Sequence, residues 1–387
     1  MNQALKDQRV QELISLYNNG DIKECLLRAK KVAKIYPEEP FVFNLIGVVS
    51  ASIGSYEEAI ESYKRALKIN PDYFEVYNNL GVALNDSKKP KDAISYLRKA
   101  LKINPHYPEA YNNLGNALKE IERLDQAIES YENAIKLNPK FIDPYTNLAI
   151  VFASKKNENE KAEYYFKKAL EISPENSEAL KYFSDFLVSI QRYSEAKALL
   201  EKCLILVPRN PDVLNLLGQV YKSENFEKAL EFYNNALHLS EDKESIQNNI
   251  GALYFEFNKV KRAISYFKKI SNSDGNTKTL LNLAYAYIAD NRFKEGWEKY
   301  EYRWKVDPGD KVVWPLKDKP LWDGKSASGV LLWREQGIGD DIIFLGLVPE
   351  AYEKAGKDMT VLIDPRLVAM CERSMPGIEF LPAVKGS

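Results

Sequence analysis

Along most of this chain, apolar side chains fall on two alternating stripes, each at helical spacing, separated by short polar turns. Within residues 74–107, Tyr77, Leu80, Gly81 and Leu84 form one stripe and Ala93, Ile94, Leu97, Ala100 and Leu101 the next, the pattern of two amphipathic helices. Asp86, Ser87, Lys88, Lys89 and Pro90 supply a turn between them, and Pro105 stops the second helix because proline cannot continue the backbone ladder. Gly81, Ala93 and Ala100 are small where the two helices must approach closely, and Lys68, Lys102 and Lys136 sit in last turns, where they complement the helix dipole.

The pattern recurs. Pro71, Pro105 and Pro139 are each 34 residues apart, and Gly81 and Gly115, Ala93 and Ala127, and Ala100 and Ala134 keep the same phase. Units are predicted to begin near Lys6, Pro40, Phe74, Pro108, Ile142, Ser177, Pro211, Glu244 and Thr277, about nine in all. Small residues keep the phase: Gly47, Ala149, Ser184, Gly218, Gly251 and Ala284 in first helices, Ala59, Ala162, Ala196, Ala229 and Ala263 in second ones. Pro174 follows Pro139 by 35 residues, which places one extra residue in the turn at 155–160. No unit can bury its stripe alone, so the units are expected to stack into a mainly α, right-handed solenoid over residues 1–304.

These helix pairs resemble tetratricopeptide repeats, in the Leu-Gly pair, the aromatic and alanine positions and the closing proline. The run Tyr111-Asn112-Asn113-Leu114-Gly115-Asn116-Ala117-Leu118 is similar, more narrowly, to the repeats that precede the catalytic region of protein O-GlcNAc transferases and their bacterial relatives.

A different pattern begins after Trp304. Asp307, Pro308, Gly309 and Asp310 break the helix, and 305–328 reads as a linker. Val330 to Trp333, Thr360 to Ile363 and Glu379 to Leu381 read as buried strands, alternating with helices over about 341–355 and from Asp364-Pro365-Arg366 onward. That order predicts parallel strands, and so a small partial α/β Rossmann-like lobe over 329–387. The stretch from Trp297 through Gly377 resembles the junction into a GT-B glycosyltransferase-like domain of the heptosyltransferase kind, carried by Trp297, Tyr300, Arg303, Trp304, Pro320, Trp322, Gly324, the run Glu335-Gln336-Gly337-Ile338-Gly339-Asp340, Pro349 and Pro376-Gly377. The resemblance implies Asp340 as general base, with Gly337 and Gly339 bringing backbone amides near a nucleotide-sugar donor. Asp340 or Asp341 as a helix cap is the competing reading, and as a dinucleotide fingerprint the glycines fail because Ile342 stands at the third position. Only 83 residues follow Trp304, too few for two lobes. The chain by itself is therefore expected to have no cofactor, and the edge of its partial sheet is a place for self-association.

Composition narrows the partners. With 54 basic and 55 acidic residues there is no field to attract nucleic acid. The longest apolar run, Ile342 to Val348, is too short to span a bilayer. Cys25, Cys203 and Cys371 are odd in number and widely spaced, which argues against disulfides or a metal site and for a cytoplasmic protein. His106 and His238 read as surface residues. Function is thus expected on the array: a scaffold binding an extended peptide or partner protein in a groove lined by first helices, with the substrate-recognition part of a truncated glycosyltransferase as the alternative. Asn79, Asn113, Asn147, Asn249 and Asn282 share one repeat position, interrupted by Tyr182 and Leu216. Two readings stay open for them: amides that pair with a bound peptide backbone, as the O-GlcNAc transferase resemblance implies, or amides that bond to the neighbouring unit.

Overall fold

The computed structural model describes residues 3–155, 157–271, 277–302, 329–333 and 345–383. It divides into two units, residues 1–300 and 301–387.

The first unit is a series of nine helix pairs: α1 (Gln3–Asn18) with α2 (Ile22–Ile35), α3 (Pro40–Ser52) with α4 (Tyr56–Ile69), α5 (Phe74–Asp86) with α6 (Pro90–Ile103), α7 (Pro108–Glu120) with α8 (Leu124–Leu137), α9 (Ile142–Ser154) with α10 (Asn159–Ile172), α11 (Ser177–Ser189) with α12 (Tyr193–Leu206), α13 (Pro211–Tyr221) with α14 (Phe226–Leu239), α15 (Lys243–Glu256) with α16 (Val260–Ser271), and α17 (Thr277–Ala289) with α18 (Phe293–Tyr300). The expected starts agree to within a residue at eight pairs and to within three at α1; the last helix ends at Tyr300, short of Trp304.

Turn chemistry repeats with the helices. Asn70, Asn104 and Asn138 cap α4, α6 and α8 in extended backbone, as a residue before proline prefers. Each side-chain oxygen accepts from the backbone N–H two residues on, in Asp72, His106 and Lys140, so the three prolines sit in matching Asx turns. Inside the pairs, except between α13 and α14, the hairpin turn holds one left-handed residue. Gly20 and Gly54 take it without strain, whereas Lys88, Glu122, Gln191, Asn258 and Asn291 hold φ between 56° and 63° despite carrying side chains.

Packing within a pair rests on the small position of the first helix. A Cβ at Gly47, Gly115 or Gly218 would lie 2.4–2.5 Å from the ring of Tyr63, Tyr131 or Tyr233, and one at Gly81 would lie 2.5 Å from Leu97 Cγ. Gly251 meets Phe267 in the same way. A large buried side chain on the second helix thus fills the space that glycine leaves open, and one continuous core runs from Leu13 to Tyr287.

Successive first helices also touch one another directly, α3 on α5, α5 on α7, α7 on α9, α9 on α11, α11 on α13 and α15 on α17. Among the described residues, no comparable contact joins successive second helices. First helices therefore lie on the inner side of the stack.

The second unit holds a parallel sheet in the order β1 (Val330–Trp333), β2 (Met359–Ile363) and β3 (Glu379–Pro382). Helices α19 (Val348–Lys354) and α20 (Pro365–Ser374) alternate with the strands. Its small core gathers Val330, Val361, Ile363 and Phe380 against Val348, Leu367 and Cys371. Asp364 caps α20, accepting from the Arg366 backbone N–H at 3.0 Å. Gly337, Gly339 and Asp340 lie outside the described residues, while the connection from α9 to α10 spans four residues, one more than the three between α5 and α6 or between α7 and α8.

Candidate partner-binding face

Each first helix buries the side that meets its partner and leaves one stripe at the surface. In α5 the stripe is Glu75, Asn79, Val82 and Asp86; in α7 it is Glu109, Asn113, Asn116 and Glu120. The spacing of four, three and four residues keeps all four side chains on one helix face. Asn79, Asn113, Asn147, Asn249 and Asn282 are half-buried members of these stripes, one per repeat, on the inner side of the stack.

Each of these five asparagines donates its side-chain N–H to the preceding repeat. Asn79 Nδ2 reaches Asn44 Oδ1 at 3.1 Å, Asn113 reaches Asn78 at 2.9 Å, and Asn147 reaches Asn112 at 3.0 Å. After a gap, Asn249 reaches Asn215 at 2.9 Å and Asn282 reaches Asn248 at 3.0 Å. The acceptors Asn78, Asn112 and Asn248 are buried, where an unpaired amide would be costly. The amides therefore stitch neighbouring repeats together. One N–H of each donor is engaged; its other N–H and, in Asn113, Asn147, Asn249 and Asn282, the carbonyl oxygen have no protein partner among the described residues. Such an amide still offers a donor and an acceptor to a bound backbone.

The row of acceptors, one residue before each donor's equivalent position, was not among the expected site residues. Its signal was present in the adjacent pairs Asn78-Asn79, Asn112-Asn113 and Asn248-Asn249. The amide row breaks at α11, where Lys181 and Tyr182 replace the pair. Lys181 Nζ stacks over the Tyr182 ring at 4.5 Å and bonds Asp212 at 3.3 Å. A different clamp joins the repeats there: Arg192, just before α12, donates to both oxygens of Glu163 on α10, at 2.5 and 3.2 Å, and to Glu195.

Burial shapes the electrostatics of the face. It raises the carboxyl pKa of Asp143, helped by the nearby charge of Glu178, and that of Asp185, where Lys181 opposes and Asp212 adds to the rise. Asp86 is raised by burial against the pull of Lys88, and the ammonium of Lys119 is lowered by burial. Among the described residues no group of three or more His, Cys, Asp or Glu could hold a metal ion, and no helix is long and apolar enough to cross a membrane.

Family models for tetratricopeptide repeats match residues 47–88, 74–107, 108–141 and 153–220. The helix pairs in these spans are tetratricopeptide repeats. The solved structure of a tetratricopeptide repeat protein from Parabacteroides merdae superposes with a TM-score of 0.53 at 17% identity, covering 64% of this chain and 98% of that one. The Cut9–Hcn1 hetero-tetramer of the APC/C gives 0.56 at 18% identity, covering 74% of this chain and 57% of that one. At those identities the likeness is one of fold. A curated relative, protein FlbA of Caulobacter vibrioides, is 25% identical over 236 residues, which is 59% of this chain and 39% of FlbA. The chain thus matches about two-fifths of that relative's length. A tetratricopeptide array, whose first helices share one lined surface, is a scaffold suited to holding other proteins.

Proposed function

We propose that the tetratricopeptide array holds an extended segment of a protein partner along the inner face of its first helices. The observation that carries this reading is the row of half-engaged amides. Asn113, Asn147, Asn249 and Asn282 each donate one N–H to the neighbouring repeat, which fixes the side chain's direction while its carbonyl oxygen stays available. Fixed, regularly spaced donors and acceptors suit a polypeptide backbone in extended form, because its amides also recur at constant spacing and carry no sequence dependence.

The glycosyltransferase alternative has less behind it. A three-stranded parallel sheet belongs to many α/β folds, and Gly337, Gly339 and Asp340, which would meet the acceptor and a nucleotide-sugar donor, lie outside the described residues.

The test has two arms, since removing an amide also removes a stacking bond. Unstructured 15-residue peptides selected on the whole chain, a length spanning about five first helices, are titrated by fluorescence anisotropy. One variant carries Asn79→Ala, Asn113→Ala and Asn147→Ala; the other carries Val82→Trp and Ile150→Trp, which obstruct the face and leave every amide bond in place. Both are expected to weaken binding about tenfold or more. Unchanged affinity in the tryptophan variant would remove the inner face as the binding surface.

A further inference from the structure

The stripes of α5, α7, α9, α11 and α13 offer twenty matching places in five repeats, all but the buried Leu216 at the surface, and these hold eight carboxylates with no lysine or arginine. The whole chain is nearly balanced, with a net charge of −1. Negative charge is therefore concentrated on the inner face. It lies in two rows on either side of the amides: Glu109, Asp143 and Glu178 among those at the start of each helix, and Asp86 and Glu120 at the last residue of α5 and α7.

The first row alone has an ordinary explanation, since carboxylates in a first turn complement the helix dipole, and second helices also carry them. The second row has no such explanation. At a helix C-terminus the dipole disfavours a carboxylate, so Asp86 and Glu120 sit where they oppose their own helices. Among the described residues Glu75, Glu109, Asp143 and Glu178 form no ion pair, and Glu178 stands close enough to Asp143 to disfavour its ionisation. A protein does not gain stability from unpaired like charges arranged this way. Within the chain Lys181 answers Asp212 and Asp185, and Lys88 lies near Asp86; Glu75, Glu109, Asp143 and Glu178 are left for a cation supplied from outside.

We infer that the partner segment on this face is basic, with a lysine or arginine at about every third residue. This deepens the reading of the inner face as a polypeptide groove and rests on it. Neighbouring first helices in contact are about 10 Å apart, and an extended chain advances about 3.3 Å per residue. Three residues thus carry a side chain from one repeat's carboxylates to the next. The backbone lies over the amides between the rows, and alternating cations reach either row. Polyanions are repelled by the same charges.

The experiment compares three peptides of about thirteen residues, an extended length of about 40 Å, on the whole chain: one with lysine at every third position, one with the same composition and its lysines bunched at one end, and one with glutamine for lysine. The spaced peptide is expected to bind tightest, to weaken steeply with added salt, and to lose about tenfold in affinity when Glu109→Gln, Asp143→Asn and Glu178→Gln are combined. Circular dichroism of that variant is expected to match the parent. Equal binding of the lysine and glutamine peptides, or no loss in the triple variant, would overturn the inference. If the glutamine peptide then binds and is lost on Val82→Trp with Ile150→Trp, the groove itself survives; if no peptide binds, both readings fall. Spermine displacing the spaced peptide at equal charge concentration would replace the polypeptide by a small polycation and so overturn the assigned occupant.

Discussion

Arg192 holds together a junction that the amide row leaves open. Its guanidinium donates to Glu163 of α10 and to Glu195 in the first turn of α12, and Lys167 adds a bond to Glu163 at 2.7 Å. Hydrogen bonds from Arg192 first, and Lys167 second, hold the Glu163 carboxyl down to about 2, from an ordinary 4.5. A carboxyl with a lowered folded pKa stabilises the fold fully above its unfolded pKa, and that contribution is lost as pH falls toward the folded one. Glu163→Gln is thus expected to cost about 1 kcal/mol at pH 7, with the gap to the parent narrowing between pH 5 and pH 3. Urea midpoints followed by circular dichroism measure it; a gap that stays constant across that range would refute the clamp.

Between elements, the donor and acceptor asparagines act as a pair. Asn113→Ala removes one bond and strands a buried acceptor at Asn78; Asn78→Ala removes the same bond from the other side. The two substitutions together should therefore cost less than their sum, by about 1 kcal/mol. Strict additivity in unfolding free energies would show that the bond contributes nothing. At this scale much was legible beforehand, because a 34-residue period places Leu80 and Gly81 against Leu97 and repeats the arrangement at Leu114, Gly115 and Tyr131. The direction of the amides was not, since Asn79 gives the same letter whether it faces a peptide or Asn44. Nor were the left-handed turns at Lys88 and Glu122, where glycine, the residue that would announce them, is missing.

Across the molecule, stability in such an array is a sum of units and junctions. Gly115→Ala drives a methyl group to within 2.4 Å of the Tyr131 ring, which is wholly buried, and overpacking of that kind costs about 1–3 kcal/mol. Hydrogen exchange is expected to show protection falling in α7 and α8 and their neighbours, with α15 to α18 nearly unchanged. Uniform loss along the chain would mean one cooperative block. The second unit shows the opposite balance of legibility. Its three strands and the Asp364 cap follow from alternating apolar runs and a helix-opening Asp-Pro, while the residues singled out for chemistry carry no periodicity that could support them independently.

The offset between the two asparagine rows has its own outcome. Because the repeats of α5, α7 and α15 each carry a donor for the copy before and an acceptor for the copy after, duplicating or excising one of these whole units restores every amide bond across the new junction, whereas an insertion of any other length leaves two amides facing the wrong way. Chains of this kind can lengthen or shorten by whole units with no other change, and the number of contacts available to a bound strand changes in the same steps.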